Sequence, residues 1–222
     1  VAVGEERVVA IPQLLHQLPQ TEVIILDDAF QHRQVMAGLN IILTDYSNLY
    51  TRDFILPAGD LRDVRSSSKR AQIIIVTKCN PALTVIEKEK IITEIAPSSD
   101  QAVYFTTIVY DFPFHLFTKE TINITADYGV LLVCGIANPA PLKAHLAQQV
   151  DSYDMLRYPD HHIFHSNDLN DIKQQFKKIK ADKKIVLTTE KDAVRLEKFR
   201  DELQDFPVYV VPVRHEFMFN EA

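Results

Sequence analysis

Residues 23–33 read Val-Ile-Ile-Leu-Asp-Asp-Ala-Phe-Gln-His-Arg, and this stretch decides the fold class. Its opening apolar run predicts a buried strand, because short unbroken runs of Val, Ile and Leu are typical of parallel strands covered on both faces. The carboxylates of Asp27 and Asp28 follow directly. Ligands of open α/β sheets bind at the carboxyl ends of strands, so this pair is a candidate for holding Mg²⁺ beside nucleotide phosphates.

The same residues permit a second interpretation, in which Asp27 and Asp28 cap the turn that follows the strand. The polar residues Gln31, His32 and Arg33 come shortly after the pair. Three bulky polar groups at the mouth of a strand are more than a turn requires, so they favour a site.

Apolar runs of the same kind recur along the chain and alternate with amphipathic helical stretches, which is typical of α/β architecture. An Asn-Pro start at 138–139 and a lysine-rich end to the stretch 166–180 support two of the helices. The predicted strands cover residues 23–26, 40–44, 72–77, 103–108, 130–133, 184–188 and 208–213, and the predicted helices cover 7–18, 81–95, 138–150 and 166–180.

The composition excludes several classes of protein. The 222 residues are 46% hydrophobic with a net charge of −6, so we expect a globular protein without a nucleic-acid partner. Cys79 and Cys134 lie far apart and form no CxxC motif, which argues against a disulfide framework or a cysteine zinc site. No apolar run approaches the ~20 residues that a membrane span needs.

Residues 56–63, Leu-Pro-Ala-Gly-Asp-Leu-Arg-Asp, predict a tight irregular loop. Arg62 could bind phosphate there and Asp63 could bind a metal ion. The local composition alone favours a surface loop with one ion pair. Residues 76–78, Val-Thr-Lys, end a strand as in the base-side strand of some P-loop proteins, although Asn80 stands where an Asp is expected.

Two segments in the second half of the chain place polar groups at the start of a helix. Residues 133–139 run from a strand through Gly135 into a helix, where an anion could bind or a plain turn suffices. Residues 187–195 begin a helix that Thr189 could cap and at which Lys191 could bind an anion. A capped helix with an ion pair explains the second segment equally well.

Residues 158–165, Tyr-Pro-Asp-His-His-Ile-Phe-His, concentrate groups that transfer protons or bind metals. Asp160 could orient the imidazole of His161 and increase its basicity for proton transfer. A histidine-rich surface loop fits the local sequence as well. A zinc site is a further alternative, although adjacent histidines on a strand point to opposite faces.

In chain order, the segments LDDAFQHR, LPAGDLRD, VTK, CGIANP, PDHHIF and TEKDAVRL resemble the tetraacyldisaccharide 4'-kinase family of lipid A biosynthesis. The resemblance extends from Val1 to about Val213. It implies a P-loop kinase that transfers the γ-phosphate of ATP to the 4'-hydroxyl of a tetraacyldisaccharide 1-phosphate. It also implies a lipid disaccharide partner and a membrane surface, at the cytoplasmic face of the bacterial inner membrane.

The resemblance further implies a P-loop-type parallel sheet with flanking helices, its N-terminal part missing, and a second, smaller α/β domain joined by a β hinge. We expect the first domain over residues 1–110, the hinge or linker over 111–128 and the second domain over 129–222, with the last strand of the second domain near the hinge.

Site residues are carried over by the same resemblance, with ATP and Mg²⁺ as cofactors. Asp63 stands where many members have Glu, one methylene longer, which bears on its metal role. The implied roles are nucleotide binding for Asp27, Asp28, Gln31 and His32, metal binding for Asp28 and Asp63, and catalysis for Arg62, Asp160 and His161, whose imidazole supports the catalytic base.

One departure from the family concerns the phosphate-binding loop. None of the five glycines, Gly4, Gly38, Gly59, Gly129 and Gly135, is followed by Lys, so GxxxxGK[ST] is absent. We therefore expect the P-loop, the catalytic Asp and an N-terminal membrane helix to lie upstream in a longer parent, and these residues alone to be inactive.

Three alternatives stay open on the sequence. A P-loop switch or metallochaperone NTPase would share the Asp-Asp and Thr-Lys strands but gives no reason for the segments near 160 and 190. A non-catalytic binding domain would have discarded its P-loop. A zinc hydrolase would use Asp160, His161, His162 and His165.

Overall fold

The computed structural model describes residues 1–219. The chain divides into two units, the first comprising Val1–Ile108 with the described residues from His215 onward, the second Val109–Arg214. In chain order the elements are α1 (Arg7–Gln17), β1 (Ile41–Asp45), a 3-10 turn (Arg65–Arg70), β2 (Ile73–Cys79), α2 (Val85–Ile95), β3 (Ala102–Tyr110), β4 (Phe114–His115), β5 (Tyr128–Cys134), α3 (Ala140–Leu146), β6 (Tyr153–Arg157), α4 (Ser166–Lys178), β7 (Lys183–Thr189), α5 (Glu190–Leu196), a second 3-10 turn (Glu197–Phe199), α6 (Arg200–Leu203), β8 (Val208–Val211) and β9 (Val213–Phe217).

The first unit is built on a sheet of strand order β1-β2-β3-β9, in which β1 pairs with β2 and β2 with β3 in parallel. Its core forms where Ile74 and Val76 of β2 and Phe105 of β3, all fully buried, meet Ile91 and Ile95 of α2.

Helix α2 begins where its sequence supplies a capping box. The main-chain N–H of Thr84 donates to the Glu87 carboxylate at 2.8 Å, and the Thr84 hydroxyl accepts from the N–H of Glu87. Such reciprocal bonds satisfy two main-chain donors that a helix start leaves free. The apolar residues of α2 can then face the sheet.

The second unit is built on a sheet of order β4-β8-β7-β5-β6, in which the interior strand β5 pairs in parallel with β6 and β7. Successive residues of β5 enter different cores, since side chains alternate across a strand. Leu131 and Val133 pack with Phe164 of one core, while Val130 and Leu132 pack in the other. Apolar cores on both faces confirm the α/β prediction for this part of the chain.

The predicted strands 40–44, 72–77, 103–108, 130–133 and 184–188 are confirmed with small changes at their ends, while the strand predicted over 23–26 is wrong. Those four residues form no regular structure, and Val23 and Ile25 are 76% and 88% exposed. A strand needs a neighbour to pair its main-chain groups, and no strand pairs with this run within residues 1–219.

Other differences have local causes. The strand predicted over 208–213 is interrupted at Pro212, which has no N–H for a strand ladder, and the chain continues as β9. The sequence did not predict β6, an edge strand in which Asp154 and Arg157 are exposed, as is common at sheet edges. The helix predicted over 138–150 covers only 140–146.

The division into units differs from the predicted domain limits. Residues 111–128, predicted as a linker, contain β4 and contribute the buried Leu116 and Ile124 to the cores of the second unit. The end of the predicted second domain, 220–222, lies outside the described residues. The helices in residues 1–219 are all too short or too polar to cross a membrane.

We predict that Ile74→Ala lowers the free energy of unfolding by about 2–5 kcal/mol, because it removes buried methyl groups and leaves a cavity. Ile86→Ala is the matched control, since Ile86 is 70% exposed in the same unit, and its effect should stay within about 0.5 kcal/mol. Urea unfolding followed by circular dichroism measures both. Equal shifts of the unfolding midpoint for the two variants would contradict the assigned core.

Candidate active site

In the first unit, Asp28 and Arg62 come together from segments far apart in sequence. Arg62 Nη2 donates to Asp28 Oδ1, and this hydrogen bond lowers the pKa of the Asp28 carboxyl below its ordinary value. Asp28 has φ 51°, in the left-handed region that Asp tolerates better than most residues. Gln31 Nε2 donates to the Asp28 carbonyl at 3.0 Å, so this turn is fixed by side chains of the predicted site.

Asp63 lies beside this pair in the loop but has different partners. Arg33 Nη2 is 2.9 Å from each carboxylate oxygen, Arg70 Nη2 is 3.2 Å from Oδ2, and the Val64 N–H is 2.8 Å from Oδ1. Hydrogen bonds from Arg33, the Val64 N–H and the Ser67 hydroxyl, in decreasing order of effect, lower the pKa of Asp63 to about 2. Asp63 is therefore the centre of an ion-pair cluster.

Arg70 links this cluster to the segment that carries Asp28. Its Nη2 also donates to the Phe30 carbonyl at 3.1 Å, and its guanidinium carbon lies 4.2 Å from the centroid of the Phe30 ring. Arg33 belongs to the same segment as Phe30. Side chains thus hold residues 28–33 against residues 62–70. Residues 28–33 themselves form no strand or helix.

The remaining predicted residues of this unit have plainer surroundings. Asp27 is exposed, and His32 is half-buried with its N–H donating to the Ala29 carbonyl at 2.9 Å. Lys78, at the end of β2, pairs with Asp45 of β1 at 2.8 Å. The structure therefore brings together Asp28, Gln31 and Arg62, and places Asp63 next to them with its own arginines.

In the second unit, three of the singled-out segments meet at the carboxyl ends of β5, β6 and β7. Asp192 of α5 is fully buried, and its Oδ2 accepts from the Gly135 N–H and the Thr189 hydroxyl, each at 2.8 Å. The Thr189 hydroxyl in turn caps α5 by accepting from the Asp192 N–H, as the sequence predicted. A Cβ at position 135 would lie 2.9 Å from the Pro159 carbonyl oxygen, so only glycine fits.

The predicted pair Asp160 and His161 lies on the turn after β6. The His161 N–H donates to Asp160 Oδ1 at 3.0 Å, and His161 Nε2 lies 3.6 Å from Asp160 Oδ2. Lys191 Nζ is 3.9 Å from Asp160 Oδ1, while Arg195 Nη2 is 3.1 Å from His161 Nδ1. The exposed imidazole of His161 is therefore placed between a carboxylate and a guanidinium.

The neighbouring histidine serves the fold of this turn. His162 Nε2 is 3.0 Å from Asp168 Oδ2, and its ring stacks on Tyr158 at 4.6 Å between centroids. Because His161 and His162 engage different partners, their ring nitrogens do not converge on one point. Throughout the described part of the chain, no group of three or more His, Cys, Asp or Glu is arranged to hold a metal ion.

Sequence reasoning missed three residues of these clusters: Arg70 beside Asp63, Arg195 beside His161, and Asp192, which bonds Arg195. It placed Arg33 among the polar groups after the Asp pair but did not predict its contact with Asp63. Asp192 had a recognisable pattern, an acidic residue three places after a Thr that starts a helix. That pattern indicates a helix cap, and nothing local indicates contact with Gly135, which is 57 positions away.

The whole chain matches one known protein family. The model of the family described as LpxK: Tetraacyldisaccharide-1-P 4'-kinase matches residues 1–222. The chain belongs to this family. Similar curated members are the tetraacyldisaccharide 4'-kinases of Phocaeicola vulgatus, 40% identical over 98% of this chain and 62% of that protein, and of Flavobacterium psychrophilum, 41% identical over 100% of this chain and 62% of that protein.

A solved structure supports the fold of this tetraacyldisaccharide-1-P 4'-kinase family member. The crystal structure of the "apo" form of LpxK from Aquifex aeolicus, in complex with ATP, matches with a TM-score of 0.66 and 22% identity, over 99% of this chain and 60% of that one. The chain thus spans about three fifths of the length of the relatives that it matches.

We predict that Asp63→Asn lowers the thermal unfolding midpoint at about pH 7, because the variant loses a charge that Arg33 and Arg70 share. The folded pKa of Asp63, about 2, is below the roughly 3.9 of an unfolded Asp. The carboxylate's contribution is therefore present above about pH 4 and is lost as the pH falls towards about 2. Scanning calorimetry should show that the difference in unfolding midpoint between Asp63→Asn and the parental protein becomes smaller as the pH falls through this range.

Asp60→Asn is the control, since Asp60 is exposed in the same loop. Its midpoint should follow the parental midpoint at each pH. A difference between Asp63→Asn and the parental protein that stays constant from about pH 7 to about pH 3 would contradict the assigned ion pairs.

Proposed function

We propose that the full-length protein transfers the γ-phosphoryl group of ATP to the 4'-hydroxyl of tetraacyldisaccharide 1-phosphate. The observation that carries this proposal is the family match over residues 1–222. The relatives named tetraacyldisaccharide 4'-kinase reach about 40% identity across nearly the whole chain, which supports the same substrate class.

Arg62 is proposed to stabilise negative charge on the transferred phosphoryl group. Its guanidinium is permanently charged and half exposed. Its ion-pair partner is the exposed carboxylate of Asp28. Phosphate oxygens compete well for such a group because they accept paired hydrogen bonds from its planar donors. Gln31, His32 and Asp27 lie in the same segment as Asp28 and are proposed to contact the nucleotide.

Asp28 fits a magnesium ligand, since it is an exposed carboxylate at the candidate nucleotide site and Mg²⁺ prefers carboxylate oxygens. When bound, the ion would neutralise charge on the phosphates. Asp63 fits the ion less well in this arrangement, because both of its oxygens already accept from arginines and one from a main-chain N–H. We therefore propose that Asp63 anchors Arg33 and Arg70 at the edge of the nucleotide site.

His161, with Asp160, is proposed to support the base that removes the proton from the sugar hydroxyl. Asp160 lies close enough to orient the ring, and the exposed imidazole can reach a partner outside the turn. In phosphoryl transfer, positioning and electrostatic stabilisation supply most of the rate, so these residues matter through their placement.

The proposed setting follows from the substrate. A tetraacylated disaccharide keeps its chains in a bilayer, so the reaction is proposed to occur at the cytoplasmic face of the bacterial inner membrane. A net charge of −6 gives no electrostatic reason for a nucleic-acid partner.

We predict that Asp28→Asn in the full-length protein lowers kcat for ATP- and Mg²⁺-dependent phosphorylation of tetraacyldisaccharide 1-phosphate by about 100-fold or more, as expected for loss of a preorganised charge at the phosphates. Transfer of ³²P from ATP to the lipid, separated by thin-layer chromatography, measures this rate. Circular dichroism at the assay temperature establishes that the variant is folded.

Asp60→Asn is the matched control and should keep the parental rate, since it removes an exposed carboxylate from the adjacent loop. An inactive, membrane-reconstituted parental protein would refute the substrate assignment and favour an NTPase switch or a binding protein. A fully active Asp28→Asn would refute only the role of Asp28.

A further inference from the structure

Asp192 is a buried carboxylate whose two oxygens face different parts of the second unit. Oδ2 accepts from the Gly135 N–H and the Thr189 hydroxyl, which fixes the turn after β5 to the start of α5. Oδ1 accepts from Arg195 Nη1 at 3.2 Å, one turn along the helix. Burying an ionised carboxylate is costly unless donors satisfy it, so this set of partners is demanding in its geometry.

Arg195 uses the other arm of its guanidinium on a different residue. Its Nη2 lies 3.1 Å from His161 Nδ1, while Nη1 stays on Asp192. A guanidinium has donors only, so His161 Nδ1 must be the acceptor in this contact. The proton of the neutral imidazole is then on Nε2, the atom that lies 3.6 Å from Asp160 Oδ2.

The backbone at His161 also requires support. His161 has φ 61°, in the left-handed region that residues with a Cβ adopt infrequently. The side chain that leaves this position is 71% exposed, so packing does little to hold the ring. The contact with Arg195 fixes the direction of the ring, and the bond from the His161 main-chain N–H to Asp160 supports the backbone.

We propose that Asp192 and Arg195 are positioning residues, which together hold His161 in the Nε2–H tautomer and aim its ring for phosphoryl transfer. The catalytic part of this proposal rests on the proposed kinase function, whereas the tautomer does not. Asp192 acts on His161 only through Arg195, and Arg195 acts through the spacing of its two arms.

The planar fork of Arg195 is essential to this arrangement. Lysine keeps the charge at position 195 but presents one point of charge, which cannot contact Asp192 and His161 in the same geometry. Arg195→Lys therefore keeps the positive charge but loses the simultaneous contacts with Asp192 and His161. Arg195→Met removes both and leaves the bonds of Asp192 with Gly135 and Thr189 in place.

The experiment is a long-range ¹H–¹⁵N correlation spectrum of the full-length protein labelled with ¹⁵N-histidine. His161→Gln identifies which imidazole signals belong to His161. In the parental protein we expect a protonated, pyrrole-type Nε2 and an unprotonated, pyridine-type Nδ1. In Arg195→Met, Arg195→Lys and Asp192→Asn we expect the two nitrogens to shift towards averaged values, as in a ring that exchanges between tautomers.

Arg200→Met is the matched control, because Arg200 is exposed in the same unit and stacks on Phe117. It should leave the His161 spectrum unchanged. A parental His161 with its proton on Nδ1, or a tautomer that survives in Arg195→Met, would overturn the proposal. If Asp192→Asn fails to fold, Arg195→Met still tests the proposal, because that variant keeps the bonds by which Asp192 and Thr189 cap α5.

Steady-state kinetics of the full-length protein add the catalytic readout. Arg195→Met and Arg195→Lys should lower kcat by about 10-fold or more, a share of the roughly 10²–10⁴-fold that acid–base groups contribute, with KM for ATP changed less than about twofold. Unchanged kcat in a variant that has lost the tautomer would overturn the catalytic part. If the parental protein lacks kinase activity while the spectrum is as expected, the proposed function fails and the positioning of His161 stands.

Discussion

The parallel pairing of β5 with β6 on one side and β7 on the other is the constraint on which the second unit depends. Buried main-chain groups must find partners, and in this sheet they find them only when the three strands run in the same direction in a fixed register. The strands therefore end at one edge. Residues near 135, 160 and 192, separated in sequence by tens of positions, meet there as a consequence of main-chain hydrogen bonding.

The first unit shows what happens to a segment that lacks the support of neighbouring strands. Residues 23–26 have the composition of a buried strand but pair with no strand within the described chain, and Val23 and Ile25 are exposed. Arginine side chains hold the residues that follow this run: Arg62 bonds Asp28, and Arg70 contacts both Phe30 and Asp63. Exposed ion pairs of this kind are individually weak, so the arrangement depends on several acting together.

Much of the fold and part of the site could be predicted from the sequence, for reasons that particular residues make clear. Buried strands such as β2 and β5 are visible because unbroken runs of Val, Ile and Leu have few alternatives. Strand β6 was missed because its charged residues, at the sheet edge, resemble a loop. The motifs predicted roles for Asp28, Arg62 and His161, and these stay predictions. The contacts of Asp192 and Arg33 join residues 30 or more positions apart, and no local pattern records such contacts.

The ion-pair cluster of Asp63 has an evolutionary consequence. Asp63 reaches Arg33 and Arg70 with a side chain one methylene shorter than that of Glu, and both arginines come from flanking segments rather than from its own loop. A longer acid at position 63 would push its carboxylate past these donors. Residues 33, 63 and 70 should therefore vary together among relatives. Where residue 63 is Asp, both arginines should be present, and where it is Glu, they need not be.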